Sequence, residues 1–180
     1  ANMDKQTRQP CKWLVVNNSP ISAPPLKLIA KCHISIVNGK EGDGFSQGCN
    51  RGLDWLQKEG WKGWVWLLNP DISFLDVKTI EKLESKLLSI PSNALMGTAV
   101  FDVNGDLEGS AGWFDDGLDF RSRLVHKKLL ANDKKELISV DWLSGCSLLI
   151  KPSAHKEQPR FESSLPLYYE DMDLCIRLLR

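Results

Sequence analysis

Acidic side chains stand at two places where an apolar pattern of the chain ends abruptly. Asp71 closes the tripeptide Asn69-Pro70-Asp71, directly after the apolar run 64–68. Because proline cannot donate a ladder hydrogen bond, the strand predicted for this run must end there and present a carboxylate at its carboxyl end, where open α/β sheets bind ligands. Glu170 and Asp171 lie where a partly buried helix is predicted to begin, and a carboxylate held there could accept a proton from a hydroxyl.

Each acidic site also has a purely structural interpretation. Asn-Pro-Asp is a common turn before a helix. Acids at a helix start cap free amides and are favoured by the helix dipole, and Asp173 with Arg177 makes a stabilising i,i+4 pair. Taken singly, neither acidic site distinguishes a structural from a chemical role.

A glycine-rich loop precedes the first predicted helix. Gly42, Gly44 and Gly48 would let backbone amides approach a phosphate or a base. The loop matches neither the Walker pattern nor G-x-G-x-x-G. Glycines that merely permit a tight loop are the alternative.

Composition excludes several classes of protein. The 180 residues fit one domain, and 23 basic against 23 acidic residues give zero net charge, which argues against a nucleic-acid partner. No apolar stretch approaches the ~20 residues of a membrane span, so we predict no transmembrane segment. Five cysteines without a C-x-x-C pair favour a reducing cytosol over a disulfide scaffold or a zinc site. We therefore expect a cytoplasmic protein.

Hydrophobic periodicity predicts alternating strands and helices, which is typical of a mostly parallel sheet. A strand, a hairpin turn at Asn104-Gly105, a strand pair and a final helix are predicted to follow. The predicted strands span 12–17, 33–37, 64–68, 94–101 and 140–150, and the predicted helices span about 45–56, about 75–88 and the residues after 168.

A basic stretch lies within the polar region 114–136. It is either a solvated loop or a patch for an anionic acceptor or a membrane surface. Its basic residues are Arg121, Arg123, Lys127, Lys128, Lys134 and Lys135.

Five segments of the chain form a pattern when they are taken in order. The segments are Val15-Val16-Asn17-Asn18-Ser19, Gly44-Phe45-Ser46-Gln47-Gly48-Cys49-Asn50-Arg51-Gly52, Leu67-Leu68-Asn69-Pro70-Asp71, Trp142-Leu143-Ser144-Gly145 and Tyr168-Tyr169-Glu170-Asp171-Met172-Asp173-Leu174-Cys175-Ile176-Arg177. In this order they resemble the family 2 glycosyltransferases of the GT-A fold, with the rhamnosyltransferase-like enzymes as the most similar subgroup. The resemblance covers nearly the whole chain. It implies a single α/β domain with a mixed, mostly parallel sheet flanked by helices, in which about 11–90 form a nucleotide-binding half and about 91–180 an acceptor and catalytic half.

The resemblance also implies site residues. Asp71 would bind Mg²⁺ or Mn²⁺, Asp171 would be the general base with Glu170 beside it, and Trp142, Ser144 and Gly145 would bound the sugar and acceptor region. The residues implied for the nucleotide pocket are Asn17, Asn18, Ser19, Gly44, Phe45, Asn50, Asn69 and Asp71.

The implied activity is inverting transfer of rhamnose or another hexose in cell-surface polysaccharide synthesis. The donor would be a dTDP-, UDP- or GDP-linked sugar, and the acceptor a hydroxyl of a glycan or of a lipid-linked glycan. The basic region 121–135 would then provide peripheral contact with the inner face of the membrane.

Three features depart from the family pattern. Asn17 stands where the family usually has aspartate, the polar residues 1–10 cannot supply the usual first strand, and the chain ends at Arg180, ahead of a histidine that often helps to hold the metal. A non-catalytic GT-A-like module that binds a nucleotide or glycan is therefore an alternative, and a nucleotidyltransferase is another.

Overall fold

Helices and strands interleave along the chain in the computed structural model, which describes residues 3–19, 33–108, 111–114, 131, 137–165 and 167–179. The helices are α1 (Phe45–Lys58), α2 (Thr79–Leu87) and α3 (Glu170–Leu179), with short 3₁₀ turns at Met3–Lys5 and Pro152–Ala154. The strands are β1 (Lys12–Asn17), β2 (His33–Asn38), β3 (Val65–Leu68), β4 (Met96–Gly97), β5 (Ala111–Gly112), β6 (Trp142–Leu143) and β7 (Ser147–Ile150).

The first two strands pair in parallel. Asn17 of β1 is the register partner of Asn38 of β2, so both strands end at the same edge. Helix α1 packs against β1, and Gly52 allows this approach because a Cβ there would lie 3.3 Å from the Val16 side chain. The start of α1 therefore lies near the carboxyl ends of both strands.

Strand β7 is the centre of a three-stranded antiparallel sheet of order β3-β7-β4. It is buried along its whole length, which explains its continuous apolar run. The prediction of a mostly parallel sheet is wrong for the described strands, in which β1 with β2 is the single parallel pair. The sequence pattern before residue 90 suggested parallel crossovers, but the partner of β3 comes about 80 residues later and runs in the opposite direction.

The predicted hairpin turn is present in modified form. Phe101 bridges Leu107, and the amide of Gly105 donates to the Asp102 carbonyl at 3.1 Å. Gly105 alone in this turn has a positive φ, of 86°, so Asn104 does not adopt the left-handed conformation that the Asn-Gly pattern predicted. The strand predicted at 94–101 is shorter in the structure and spans Met96–Gly97, whereas Phe101 pairs with Leu107 in the hairpin.

Two apolar clusters hold these elements together. Leu53, Leu148, Phe161 and Leu174 are buried where α1, β7 and α3 meet. Met3, Phe74 and Ile80 form the second cluster, which attaches the amino-terminal turn to α2.

Helix α2 begins four residues later than predicted. Thr79 is its first residue, and its hydroxyl donates to the Asp76 carbonyl. Gln6 stabilises this start from outside the helix, because its side chain accepts from the Ile80 amide at 3.3 Å and donates to the Asp76 carbonyl at 2.8 Å. The segment around residues 3–6 therefore packs on α2.

The basic residues of 121–135 lie outside the described residues, so that prediction is not addressed by the structure. Within the described ranges, no helix is both long enough and apolar enough to cross a membrane.

Candidate functional site

The carboxylate of Asp171 is held in one orientation by two backbone amides. Gly145 donates to Oδ2 at 2.8 Å, and Met172 donates to Oδ1 at 2.8 Å. Gly145 lies between this carboxylate and the ring of Phe45, because a Cβ there would be 3.0 Å from two ring atoms and 3.6 Å from the Asp171 Cβ. Three of the five sequence segments therefore meet at Gly145.

Glu170 is a buried carboxyl beside this contact. It is 5% exposed, and its Oε2 has no hydrogen-bond partner among the described residues. Burial and the adjacent Asp171 charge raise the pKa of this carboxyl. On the facing helix, burial and the Glu170 charge raise the pKa of the Cys49 thiol to about 12. The predicted partial burial of this helix start is confirmed, and the low dielectric there disfavours charge on Glu170.

The glycine loop is fixed by the side chains of Asn18 and Arg51. Asn18 donates to the carbonyls of Asp43 (3.4 Å) and Gly44 (3.3 Å). Arg51 of α1 forms an ion pair with Asp43, and the Lys40 amide and this guanidinium hold the pKa of Asp43 below its usual range. The side chain of Asn18 also occupies the space that a Cβ at Gly39 or Gly48 would fill. Asn18 therefore orders the loop.

Asn17, the last residue of β1, forms a turn with Ser19. The Asn17 side chain accepts from the Ser19 amide at 3.1 Å, and the Asn17 carbonyl accepts from the Gly39 amide at 2.7 Å. Ser19 is exposed. Asn38, which the sequence analysis did not single out, stands opposite Asn17 at the same edge.

Asn50 faces a loop of the second half of the chain. Its Nδ2 donates to the Phe161 carbonyl at 2.8 Å, and its Oδ1 accepts from the Phe161 amide at 2.8 Å. Both ends of the amide are therefore used to hold this loop against α1.

The Asn69-Pro70-Asp71 segment is a turn at the end of β3. The Ile72 amide donates to the Asn69 carbonyl, and Asn69 donates from its backbone to the Cys146 carbonyl at 3.1 Å. This contact extends the β3–β7 ladder, so the turn lies one residue from Gly145 along the facing strand. Asp71 itself is exposed.

Trp142 and Ser144 have different surroundings. Trp142 is buried against Gly112 and borders a cleft of about 570 Å³, whose described lining is mostly apolar and includes Cys175 and Leu178. Ser144 accepts from the Cys146 amide at 3.3 Å and shapes the turn. The described lining of the cleft includes neither Asp71 nor Asp171.

The two tyrosines before α3 have an unusual backbone. Tyr168 and Tyr169 have φ angles of 69° and 66°, in the left-handed region that side chains with a Cβ rarely adopt. Their sequence gives no signal of this conformation, because tyrosine has no preference for it.

A divalent cation such as Mg²⁺ or Mn²⁺ needs several oxygen ligands. The described residues contain no group of three His, Cys, Asp or Glu side chains that could hold a metal. Mg²⁺, however, is usually bound through one or two carboxylates together with substrate phosphates and water. Asp71, exposed at a strand end, fits a cation shared with a diphosphate and does not fit a cation held by protein side chains alone.

No family model, no curated protein and no solved structure matches this chain.

Proposed function

We propose that this chain transfers a sugar, with inversion, from a nucleotide diphosphate to an acceptor hydroxyl, as a glycosyltransferase of the GT-A type. The observation that supports this most is the orientation of Asp171 by the Gly145 amide, with Phe45 of the glycine-loop helix packed on the same glycine. Segments that are about 100 residues apart, and that resemble donor and acceptor motifs, thus contact each other directly.

In this proposal Asp171 accepts the proton of the attacking hydroxyl. A carboxylate has about four lone-pair sites, so the two amide donors leave acceptor capacity on both oxygens. The same donors prevent rotation of the carboxylate, and a fixed orientation is what a proton acceptor needs for efficient transfer. Gly145 and Met172 are thus positioning residues for Asp171.

The glycine loop and the Asn69–Asp71 turn would bind the donor. The ordering of the loop by Asn18 and Asp43 presents the first turn of α1 to the diphosphate without further cost in backbone entropy. A divalent cation bound by Asp71 would neutralise charge on the leaving nucleotide diphosphate. The proposed donor carries rhamnose or another hexose on dTDP, UDP or GDP, and the proposed acceptor is a glycan or a lipid-linked glycan. The reaction would serve cell-surface polysaccharide synthesis at the cytoplasmic side of a membrane.

A GT-A-like module that binds a nucleotide or glycan without turnover is the second candidate. The hydrogen bonds from the Gly145 and Met172 amides to Asp171 favour it equally, because a carboxylate bound to two backbone amides can also serve only to stabilise the start of a helix. Turnover distinguishes the two candidates, whereas both predict that a ligand binds.

Calorimetry with UDP, dTDP and GDP, each with and without Mn²⁺, tests the proposal. We expect one nucleotide to bind with a clear requirement for Mn²⁺, and Asp71→Asn to remove that requirement together with most of the affinity. Asp106→Asn, at an exposed position of the hairpin, is the matched control and should bind like the wild type. Binding of none of the three nucleotides would overturn the proposal.

A further inference from the structure

Tyr168 and Tyr169 place two aromatic rings on the surface directly before the Glu170–Asp171 pair. Tyr168 is 72% exposed, Tyr169 is 60% exposed, and Leu167 before them is 59% exposed. The Tyr169 carbonyl accepts the first hydrogen bond of α3, from the Asp173 amide at 2.9 Å. The rings are therefore attached to the start of the helix that carries Asp171.

The backbone at this point is unfavourable for tyrosine. Both residues have positive φ angles, where the Cβ of an L residue crowds the following carbonyl, whereas glycine would adopt the same angles without strain. At Tyr168 burial does not compensate for this strain, because the residue is 72% exposed. Strained and exposed aromatic residues beside reactive groups are typical of a binding role.

The chemistry of tyrosine indicates the class of ligand. Its ring face is electron-rich and its hydroxyl makes hydrogen bonds, so it suits a partner with an apolar, weakly positive C–H face and hydroxyl groups at its edge. A pyranose ring has both. A charged or purely hydrocarbon ligand would use one of these properties and not the other.

We infer that Tyr168 and Tyr169 form the surface on which a sugar ring of the acceptor stacks beside Asp171. The assignment of that sugar to the acceptor rests on the proposed function, whereas the binding of a sugar ring at this surface does not. Tyr169 immediately precedes Glu170 and lies two residues before Asp171, so a sugar stacked on these rings would be near the carboxylate that would take its proton.

The composition of the chain allows a direct test, because these two residues are its only tyrosines. Protein labelled with 3-fluorotyrosine gives two fluorine resonances, which Tyr168→Phe and Tyr169→Phe assign. The probes are methyl α-L-rhamnoside, methyl β-D-glucoside and methyl N-acetyl-β-D-glucosaminide, and mannitol is the control because it carries hydroxyls without a ring face. We expect saturable shifts of both resonances with at least one glycoside and none with mannitol.

Two substitutions separate binding from folding. Tyr168→Gly should weaken glycoside binding about tenfold, read on the Tyr169 resonance, while urea unfolding shows unchanged or higher stability, because glycine relieves the strain. Leu167→Ala, a change at the exposed neighbour, should bind glycosides like the wild type. Equal loss of binding in Leu167→Ala and Tyr168→Gly would overturn the inference.

The remaining outcomes distinguish this inference from the proposed function. If no glycoside shifts either fluorine resonance although the protein binds a nucleotide, the stacking surface is overturned and the transferase proposal stands. Glycoside shifts in a protein that binds no nucleotide would support the stacking surface and overturn the transferase.

Discussion

The two acidic regions of this chain carry the same charge in opposite surroundings. Asp71 stands in an exposed turn at the end of β3. Asp171 is tied to two backbone amides and adjoins Glu170, which is buried. One carboxylate is free to meet a soluble ion, and the other is fixed in direction and partly desolvated.

In the proposed reaction, this difference supports one role for each carboxylate. An exposed carboxylate keeps its charge and suits a cation that also binds diphosphate oxygens. A carboxylate fixed in one orientation suits the proposed proton transfer, because it meets the acceptor hydroxyl in a defined direction. The four substitutions below test the contrast, starting with the largest expected effect.

Asp171→Asn should lower sugar transfer by about 10²–10⁴-fold, the usual contribution of a positioned proton acceptor. The amide oxygen of asparagine can still accept from Gly145, so nucleotide affinity and the urea midpoint should stay near the wild-type values. Release of nucleotide diphosphate in the presence of acceptor measures the loss. Asp173→Asn, on the same helix but paired with Arg177, is the control. Full activity of Asp171→Asn would end its assignment as proton acceptor.

Gly145→Ala should destabilise the fold by about 1–3 kcal/mol, the usual cost of an added methyl in a packed site. The new Cβ would lie 3.0 Å from two ring atoms of Phe45. Urea unfolding measures the change. Phe45→Leu in the same protein should recover part of the loss by making room, so the two substitutions should be coupled rather than additive. Additive effects would contradict direct packing of Phe45 on Gly145.

Asp71→Asn should weaken Mn²⁺-dependent nucleotide binding about tenfold and change the free energy of unfolding by less than about 0.5 kcal/mol, as for other exposed sites. Calorimetry and urea unfolding on the same preparation measure both quantities. A large loss of stability would show that Asp71 serves the turn and not a ligand.

Glu170→Gln should change the pH dependence of stability. The pKa of Glu170 is raised above 4.5 in the fold, so its stabilising contribution is complete below the unfolded pKa and is lost as pH rises through the folded pKa. The variant should therefore gain stability relative to the wild type as pH rises above about 4.5, until the difference levels off.

Urea midpoints across a pH series measure this difference. Cys49 and Asp171 face Glu170 in both proteins. The carboxyls with lowered pKa values contribute the opposite slope, but they do so equally in both proteins. If the urea midpoints of the variant and the wild type change with pH in parallel, Glu170 titrates in the fold as it does in the unfolded chain. The carboxyls with lowered pKa values are Asp43, Asp76, Asp102 and Glu162.

Local periodicity predicted the elements well where one face of the element is buried. Strand β1 has the predicted bounds, and α1 begins at Phe45, the first residue of its predicted apolar face. The pairing of β3 with β7 was not predictable, because register and direction across about 80 residues depend on the whole core. The start of α2 was misplaced because its stabilising partner, Gln6, lies about 70 residues away.

The candidate site was predicted as a set of residues but not as a set of contacts. Phe45, Gly145 and Asp171 were each named from their own motif, but the contacts among them were not predicted. The structural use of Asn18 and the left-handed backbone of Tyr168 leave no trace in a single sequence, because side-chain orientation and φ are set by tertiary packing.

The double hydrogen bond between Asn50 and Phe161 has a consequence for how the chain folds. It joins residues 111 positions apart, so most of the chain must close before the bond can form. If α1 packed into the core before this loop, the buried Asn50 amide would have lost water and gained no partner, which is costly. Residues before and after position 90 should therefore become native in one cooperative step, and a fragment ending near residue 90 should be unable to complete its own first helix.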